Sequence, residues 1–335
     1  MIHSTRRAAV LALVSTGAVV ALAGCSADAE PSESGSATTS DYTIAAVFPN
    51  TSDPFWQTIT CGAAAEATEL GVDLQQFNTT STDTNTIASN FQSASLIGAD
   101  AMIVNPFTNN QFIAQYQQLM SEGVPVVTSN GTDPQAEYLN IYSDGETAGF
   151  ADQVADLIPD GAGSMVFMGG APGIAPLETR TNPFYEAVQE MRSDLTVLPI
   201  EYSGFDTNQA TTDISSLIIA NPDLKLIIAS NGPDGVAAAA AVKQAGMSGE
   251  IAVIAFDAIP GQVDALRDGT ISALIAQDPY EIGAQSVKEL VDYLDAHPDG
   301  GAVEPSGSKT IPSFLLTAEN VDDPDNAKYL YQTQC

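Results

Sequence analysis

Positive charge is scarce in this sequence. Its 335 residues contain 10 Lys and Arg against 42 Asp and Glu, which gives a formal net charge of −32. Nucleic acids and anionic lipid headgroups are bound through cations that replace counterions around phosphates. The shortage of cations therefore argues against both of these partners, and we predict no nucleic-acid partner.

Cysteine and histidine are equally rare, with 3 Cys and 2 His. These numbers argue against a disulfide-dense scaffold and against a histidine-rich metal site. No Gly-x-Ser-x-Gly, His-Glu-x-x-His or Gly-x-x-x-x-Gly-Lys motif is present. His3 lies in the leader segment and His297 in a polar turn sequence. We predict no catalytic residues, no metal and no cofactor, and hence a protein that is not an enzyme.

The remaining composition is that of a folded protein. Hydrophobic residues make up 44% of the chain and aromatic residues 7%, with 26 Gly and 19 Pro. Such values suit a chain that forms a core. The length is enough for two domains.

Residues 1–24 have the pattern of an export signal. Arg6 and Arg7 precede a short apolar segment, and Leu22-Ala-Gly-Cys25 follows it. A membrane-spanning anchor is the alternative, but the apolar run is shorter than the ~20 residues that a spanning helix needs. Leu-Ala-Gly-Cys resembles the lipobox of bacterial lipoproteins. This resemblance implies cleavage before Cys25, diacylglycerol on its sulfur and a flexible acidic tether over residues 25–41.

Lipidation would leave Cys61 and Cys335 as the other cysteines. Outside the cytoplasm such a pair is more often a disulfide than two free thiols, so we predict that they are bonded. The alternative is that Cys61 is a small buried side chain and Cys335 a frayed terminus.

From Tyr42 onward, short apolar runs alternate with longer stretches of helical pattern. Apolar strands joined by crossover helices predict parallel sheets covered on both faces, and ten strands are too many for one small doubly wound domain. We therefore predict an α/β protein of two Rossmann-like lobes. The predicted strands are 43–48, 72–77, 101–105, 125–129, 138–142, 164–168, 196–202, 224–229, 251–256 and 271–276, and the predicted helices include 54–70, 146–158, 234–245 and 279–294.

Small polar residues follow most of these strands. In open α/β sheets, ligands bind beyond the carboxyl ends of the strands. Any single polar residue there is more often a loop or helix cap, but the pattern recurs across both predicted lobes. Amides, hydroxyls and a few carboxylates supply both donors and acceptors, which the hydroxyls of sugars and polyols require. The strand ends indicate a ligand site that includes Asn130, Ser143 and Phe256.

Residues 42 to about 316 resemble the ribose-type (type I) periplasmic sugar-binding proteins, which serve ABC importers. The resemblance rests on the order of several short motifs. They are Thr43-Ile-Ala-Ala-Val-Phe-Pro-Asn-Thr-Ser-Asp-Pro-Phe-Trp56, Ile103-Val-Asn-Pro106, Pro125-Val-Val-Thr128, Val253-Ile-Ala-Phe-Asp257 and Leu274-Ile-Ala-Gln277.

The resemblance implies two lobes that close on a sugar by hinge bending. The expected crossovers lie near 143–144, 277–278 and 307–309. The first lobe would then hold residues 42–143 and 278–307, the second 144–277 and 308–320, and the tail 321–335. The closed monomer would deliver its sugar to the membrane permease.

The family's sugar contacts carry over to individual positions. They imply hydrogen bonds from polar side chains and stacking of aromatic rings on the apolar face of the sugar. Arg180 is also distinctive by itself, because residues 8–179 contain no Lys or Arg. An ordinary salt bridge is the alternative role for it. The implied contacts are Asp53, Phe55, Trp56, Asn105, Arg180, Phe205, Asn231, Asp257 and Gln277.

One departure from the family pattern affects specificity. Ribose receptors have an Asp-Arg pair after the fourth strand, where this chain has Asn130-Gly131, and Glu178 stands where a second arginine is usual. Unpaired buried polar groups cost about 1–3 kcal/mol each, so we expect a ligand other than ribose. A small neutral carbohydrate or polyol is favoured over an anion, because Arg180 would be its only evident cation.

Three other functions remain open at this point. A sensor would use the same fold to present a ligand to a membrane receptor. A sugar-responsive transcription regulator would need a basic DNA-binding region where this chain has its leader. A secreted sugar hydrolase would convert its sugar, whereas a binding protein returns it unchanged.

Overall fold

The computed structural model describes residues 42–108, 110–130, 136–143 and 145–335. The leader, Cys25 and the tether, as well as Gly131 and Asp144, lie outside the described residues. Residues from 42 onward belong to one compact unit, which contains two α/β lobes as predicted.

The first lobe is built on a parallel sheet with the strand order β12-β5-β4-β3-β1-β2. The central position of β1 between β2 and β3 makes this a doubly wound sheet. The strands are β1 (Thr43–Val47), β2 (Asp73–Gln76), β3 (Ala101–Val104), β4 (Val126–Ser129), β5 (Leu139–Ser143) and β12 (Ser308–Ile311). The helices of this lobe are α1 (Pro54–Leu70), α2 (Thr84–Ser95), α3 (Ile113–Ser121) and α9 (Pro279–Ala296).

Both faces of the inner strands of this sheet are buried. Successive side chains of a strand point to opposite faces, so a strand covered on both sides is apolar throughout. In β1, Ile44 belongs to the same buried cluster as Ile59 of α1. The next residue, Ala45, belongs to a second cluster with Phe91 of α2.

The second lobe has the strand order β13-β11-β10-β9-β6-β7, with β8 beside β6, and all pairs except β11 with β13 are parallel. Its strands are β6 (Gly163–Gly169), β7 (Leu195–Val197), β8 (Glu201–Tyr202), β9 (Leu224–Ala229), β10 (Ala252–Phe256), β11 (Ala273–Ala276) and β13 (Phe314–Leu316). Its helices are α4 (Phe150–Val154), α5 (Ala175–Met191), α6 (Thr207–Ala220), α7 (Gly232–Ala245) and α8 (Pro260–Arg267), with a short 3₁₀ helix at Ala155–Leu157.

The chain passes between the two sheets three times within the described part. It crosses after β5, between β11 and α9, and between β12 and β13. Strand β12 pairs with β5, so residues 308–311 belong to the first lobe. The last crossover therefore lies at 312–313, and its predicted place at 307–309 is wrong.

Two glycines let α1 and α9 approach each other closely. A Cβ atom at Gly62 would lie 1.9 Å from the carbonyl oxygen of Tyr280, and one at Gly283 would lie 2.0 Å from that of Ile59. Larger residues would force the helices apart. This contact fixes α9, which follows the second crossover, against α1.

The C-terminal segment returns to α1. After β13 it forms a 3₁₀ helix at Pro324–Tyr329. Cys335 then forms a disulfide bond with Cys61 of α1, which is the pairing that the sequence predicts. None of the helices described here is long and apolar enough to cross a membrane.

We expect the Cys61–Cys335 bond to stabilise the folded chain strongly, because it closes a loop of 274 residues in sequence. Cys335→Ser should lower the free energy of unfolding by about 2–4 kcal/mol in urea titrations. Reduction with dithiothreitol should lower the free energy of unfolding of the wild-type chain to that of Cys335→Ser, and it should not change the value of the variant. Equal stability of the two chains would contradict this.

Candidate functional site

A cleft of about 620 Å³ lies between the two lobes, at the carboxyl ends of their strands. All but two of the predicted ligand-binding residues line it. From the first lobe come Asp53, Phe55, Trp56, Asn105 and Asn130, and from the second Arg180, Phe205, Asn231, Asp257 and Gln277.

Ser143 and Phe256 do not line the cleft, so these two predictions are corrected. Phe256 is fully buried in the core of the second lobe, where its ring meets Phe184 edge-on. It precedes Asp257 by one residue, and side chains alternate along a strand, so only one of the two can face the cleft. Ser143 is buried at the end of β5, near the edge strand β12.

The start of α1 presents a carboxylate and two aromatic rings. Asp53 caps the helix, since its Oδ1 accepts from the Phe55 N–H at 2.9 Å, and Pro54 occupies the first helical position. The rings of Phe55 and Trp56 meet edge-to-face, with centroids 4.9 Å apart. This corner therefore offers aromatic surface beside a carboxylate.

Asn105 and Gln277 each keep one buried amide oxygen without a partner. Asn105 donates its Nδ2 to the carbonyl of Ser129, and Gln277 donates its Nε2 to Asp257 Oδ1 at 2.7 Å. Because these partners are acceptors, the donations fix which end of each amide is the oxygen. Asn105 Oδ1 and Gln277 Oε1 find no hydrogen-bond donor among the described residues.

Asp257 is the most heavily bonded group of the cleft. Its Oδ1 lies 3.5 Å from Arg180 Nη2 and accepts from Gln277, and its Oδ2 accepts from the Gly232 N–H at 3.0 Å. Arg180 Nη2 also lies 3.4 Å from the carbonyl oxygen of Ser230. The sole cation among the lining residues is thus paired with a carboxylate within the second lobe.

Asn231 and Phe205 are held by the buried carboxylate of Asp234. Asn231 caps α7 and donates to Asp234 Oδ2 at 2.6 Å, while Ser203 donates to Oδ1 at 2.5 Å. The Ser203 hydroxyl in turn accepts from the Phe205 N–H. The ring of Phe205 lies against Gly170, where a Cβ would come within 2.1 Å of it.

Strained backbone concentrates around the cleft. Apart from glycines, the described residues with positive φ are Asn50, Asn110, Asn130, Phe205 and Asp257. All of these except Asn110 line the cleft. Such conformations are costly for residues with side chains and cluster at functional sites.

Several lining residues were not predicted. They come from the loop after β2, from loops beside predicted residues and from the start of α5, and no motif distinguishes most of them. Asn50 and Pro106 are the exceptions, since each stands in a motif at the end of a predicted strand. The residues are Asn50, Thr80, Ser81, Thr82, Pro106, Phe107, Ile174, Leu177, Gly204 and Pro233.

Two carboxyl groups near the cleft have raised pKa values. Burial raises the pKa of Asp53 to about 6 and the charge of Asp257 adds to the rise, while the backbone N–H groups of Phe55 and Trp56 oppose it. Burial likewise raises the pKa of Asp234 to about 6, against the hydrogen bonds from Ser203 and Asn231. No cluster of metal-ligating side chains occurs in the described chain.

The chain is similar to known binding proteins over most of its length. A family model described as "Periplasmic binding protein domain" matches residues 44–298. The ribose import binding protein RbsB of Escherichia coli (strain K12) is 28% identical over 251 residues, which cover 73% of this chain and 82% of that protein. The protein of the same name from Bacillus subtilis (strain 168) is 26% identical, over 85% of this chain and 92% of that protein.

A solved structure has the same fold. It is an ABC transporter solute-binding protein from Agrobacterium vitis, bound with α-D-tagatopyranose. The two chains are 26% identical and superpose with a TM-score of 0.75. The match covers 87% of this chain and all of that one.

Asp53→Asn should stabilise the sugar-free protein above pH 6. The raised pKa means that the folded state binds this proton more tightly than the unfolded chain, whose value is near 3.8. The contribution of Asp53 to wild-type stability should therefore fall as the pH rises from about 4 to about 6. Asparagine keeps the cap without the buried charge, so we expect a gain of about 1–2 kcal/mol at pH 7.5 and little change at pH 4.

The matched control is Asp83→Asn. Asp83 caps α2 in the same way but is exposed, and hydrogen bonds from Thr86 lower its pKa. In urea unfolding at pH 4 and at pH 7.5, this variant should have no higher free energy of unfolding than wild type. An Asp53→Asn protein with the same pH dependence as wild type would contradict the account.

Proposed function

The chain belongs to the periplasmic binding protein domain family, and from this premise we propose that it captures a small neutral carbohydrate or polyol in the cleft. Hinge closure would then present the loaded form to the permease of an ABC importer. Membership of this family implies an extracytoplasmic protein. The family consists of binding proteins rather than enzymes.

The observation that carries this proposal is the pair of unpartnered amide oxygens, Asn105 Oδ1 and Gln277 Oε1. Buried polar groups in native proteins nearly always have a partner. Both oxygens accept hydrogen bonds, and they belong to opposite lobes. A ligand with several hydroxyl donors, such as a sugar, would satisfy both and join the lobes when they close.

The aromatic residues support the same ligand class. Phe55, Trp56 and Phe205 line the cleft together with neutral amides. Flat rings cover the C–H faces of a sugar, whereas amides and hydroxyls bind its rim. A binding site of this composition suits a ring that is apolar on its faces and polar at its edge.

The charges in the cleft favour a neutral ligand. The charged residues that line it are Asp53, Arg180 and Asp257. Because Arg180 is paired with Asp257, an anionic ligand would face the Asp53 carboxylate with no uncommitted cation. A sugar hydroxyl can instead donate to this carboxylate.

The resemblance to ribose receptors leaves the particular sugar open. Proteins named for ribose import are among the relatives, and the related solved structure holds a tagatose. This chain has Asn130 where the ribose receptors have the aspartate of an Asp-Arg pair. We therefore propose a ligand other than ribose, with a different arrangement of hydroxyls around this corner.

Binding can be measured by thermal shift on a chain that begins at residue 41. The panel is D-ribose, D-allose, D-arabinose, D-tagatose, D-fructose and myo-inositol. A ligand at one hundred times its Kd adds about 2.7 kcal/mol to the folded state, so one panel member other than D-ribose should raise the melting temperature by several degrees. A panel with no shift would contradict the proposal.

The matched variants are Arg180→Ala and Arg267→Ala. Removing Arg180 leaves Asp257 buried without its cation, which should abolish the shift. Arg267 is an exposed arginine that pairs with Asp264 and Asp322, and its loss should leave the shift intact. An Arg180→Ala protein that folds and binds the sugar normally would refute the assigned site.

We also propose that the protein is a lipoprotein anchored through Cys25. The Leu-Ala-Gly-Cys motif and the acidic tether support this, because two acyl chains make a stable anchor and the tether gives the lobes reach. Expressed in a bacterial host, the full chain should incorporate labelled palmitate and sediment with membranes. Cys25→Ser should incorporate no palmitate, and labelling of this variant equal to wild type would contradict lipidation at Cys25.

A further inference from the structure

The C-terminal segment, residues 317–335, links the two lobes and is called the strap below. In the second lobe the Tyr331 N–H donates to the Ala258 carbonyl at 3.1 Å. In the first lobe the Gln332 N–H donates to Thr58 Oγ1 at 2.7 Å, and Cys335 is bonded to Cys61. Both first-lobe attachments are on α1, the helix that begins at the cleft.

Tyr331 lies directly behind the lining of the cleft. Its side chain is 4% exposed, and its ring centroid is 5.8 Å from that of Phe55. Its hydroxyl oxygen lies 3.2 Å from Asp257 Oδ1 and 3.2 Å from the Gln277 nitrogen. Phe55, Asp257 and Gln277 all line the cleft, whereas Tyr331 itself is not a lining residue.

The direction of these two hydrogen bonds follows from chemistry. A carboxylate only accepts and a backbone N–H only donates. The phenol proton therefore goes to Asp257, and the phenol oxygen accepts from Gln277. Burial and the charge of Asp257 raise the pKa of Tyr331 well above its usual value, so the hydroxyl remains a donor.

Asp257 needs such support. It has a φ of 76°, a conformation that few residues other than glycine adopt. Its Oδ1 is shared by Arg180 at 3.5 Å, Gln277 at 2.7 Å and Tyr331. The hydroxyl thus joins Asp257 to the backbone N–H of Gln277, where the chain enters the second crossover.

We propose that Tyr331 is a positioning residue of the sugar site, which acts through Asp257 and Gln277 and is held in place by the strap. This inference rests on the proposed function. It makes the segment beyond the matched family region, which ends at residue 298, a part of the binding machinery.

The test compares Tyr331→Phe with Tyr329→Phe. Each removes one hydroxyl from the strap, but Tyr329 stacks on Phe314 and does not contact Asp257. Kd is measured calorimetrically with the panel sugar that gives the largest thermal shift. We expect affinity to fall about tenfold in Tyr331→Phe, the loss of one hydrogen bond to a charged group, and to stay within about twofold in Tyr329→Phe.

A double-mutant cycle with Asp257→Gly separates positioning from general stability. Glycine tolerates the positive φ and removes the carboxylate through which Tyr331 acts. If the proposal holds, adding Tyr331→Phe to Asp257→Gly should lower the affinity by clearly less than tenfold, because only the hydrogen bond from the Gln277 N–H remains to be lost. Equal effects of Tyr331→Phe in the two backgrounds would overturn it.

A second variant and a second measurement show whether a loss of affinity comes from misfolding of Tyr331→Phe. Cys335→Ser releases the end of the strap with the hydroxyl intact, and it should weaken affinity by about threefold. Without sugar, the backbone N–H of Gln277 should exchange its hydrogen with solvent faster in Tyr331→Phe and in Cys335→Ser than in wild type. Unchanged affinity and exchange in both variants would overturn the proposal.

The failure of the proposed function can be distinguished from the failure of the positioning role. If no panel sugar binds the wild-type chain, the proposed function fails, and the role of Tyr331 in sugar binding fails with it. If a sugar binds wild type and Tyr331→Phe equally well, only the positioning role is refuted.

Discussion

The carboxylate of Asp257 is buried where β10 ends, and four parts of the chain meet on it, including the Gly232 N–H at the start of α7. Arg180 reaches it from α5, Gln277 from the second crossover and Tyr331 from the strap. A buried carboxylate is tolerable only when charge and hydrogen bonds compensate its lost hydration. Its geometry therefore depends on the second lobe, the crossover and the C-terminus together.

The two lobes contribute different chemistry. The first supplies the aromatic pair at the start of α1, the Asp53 carboxylate and the amides that end β3 and β4. The second supplies the paired Arg180 and Asp257. Unpartnered acceptors on both sides mean that neither lobe alone satisfies its own polar groups, which is the condition under which a ligand favours closure.

The sequence predicted local features well because their signals are local. Asp53-Pro54 specified the start of α1, and the apolar runs specified the buried strands. Strand β12 was missed because Ser308–Ile311 is a mostly polar edge strand with no apolar run. Phe256 was misassigned because a shift of one residue along a strand reverses the side that a side chain faces.

The strap could not be predicted in the same way. Tyr331 meets Asp257 across 74 residues, and nothing in its polar surroundings marks it as part of a site. Only the leftover cysteines indicated that the chain returns to α1. Contacts between distant segments depend on the complete fold, so they appear only when the lobes are assembled.

Fluorescence of Trp56 tests the central claim most directly. It is the single tryptophan of the chain, and it lines the cleft. Titration with the sugar that stabilises the protein should change its emission saturably, with the same Kd as calorimetry gives. A sugar that stabilises the chain but leaves Trp56 emission unchanged would contradict binding in this cleft.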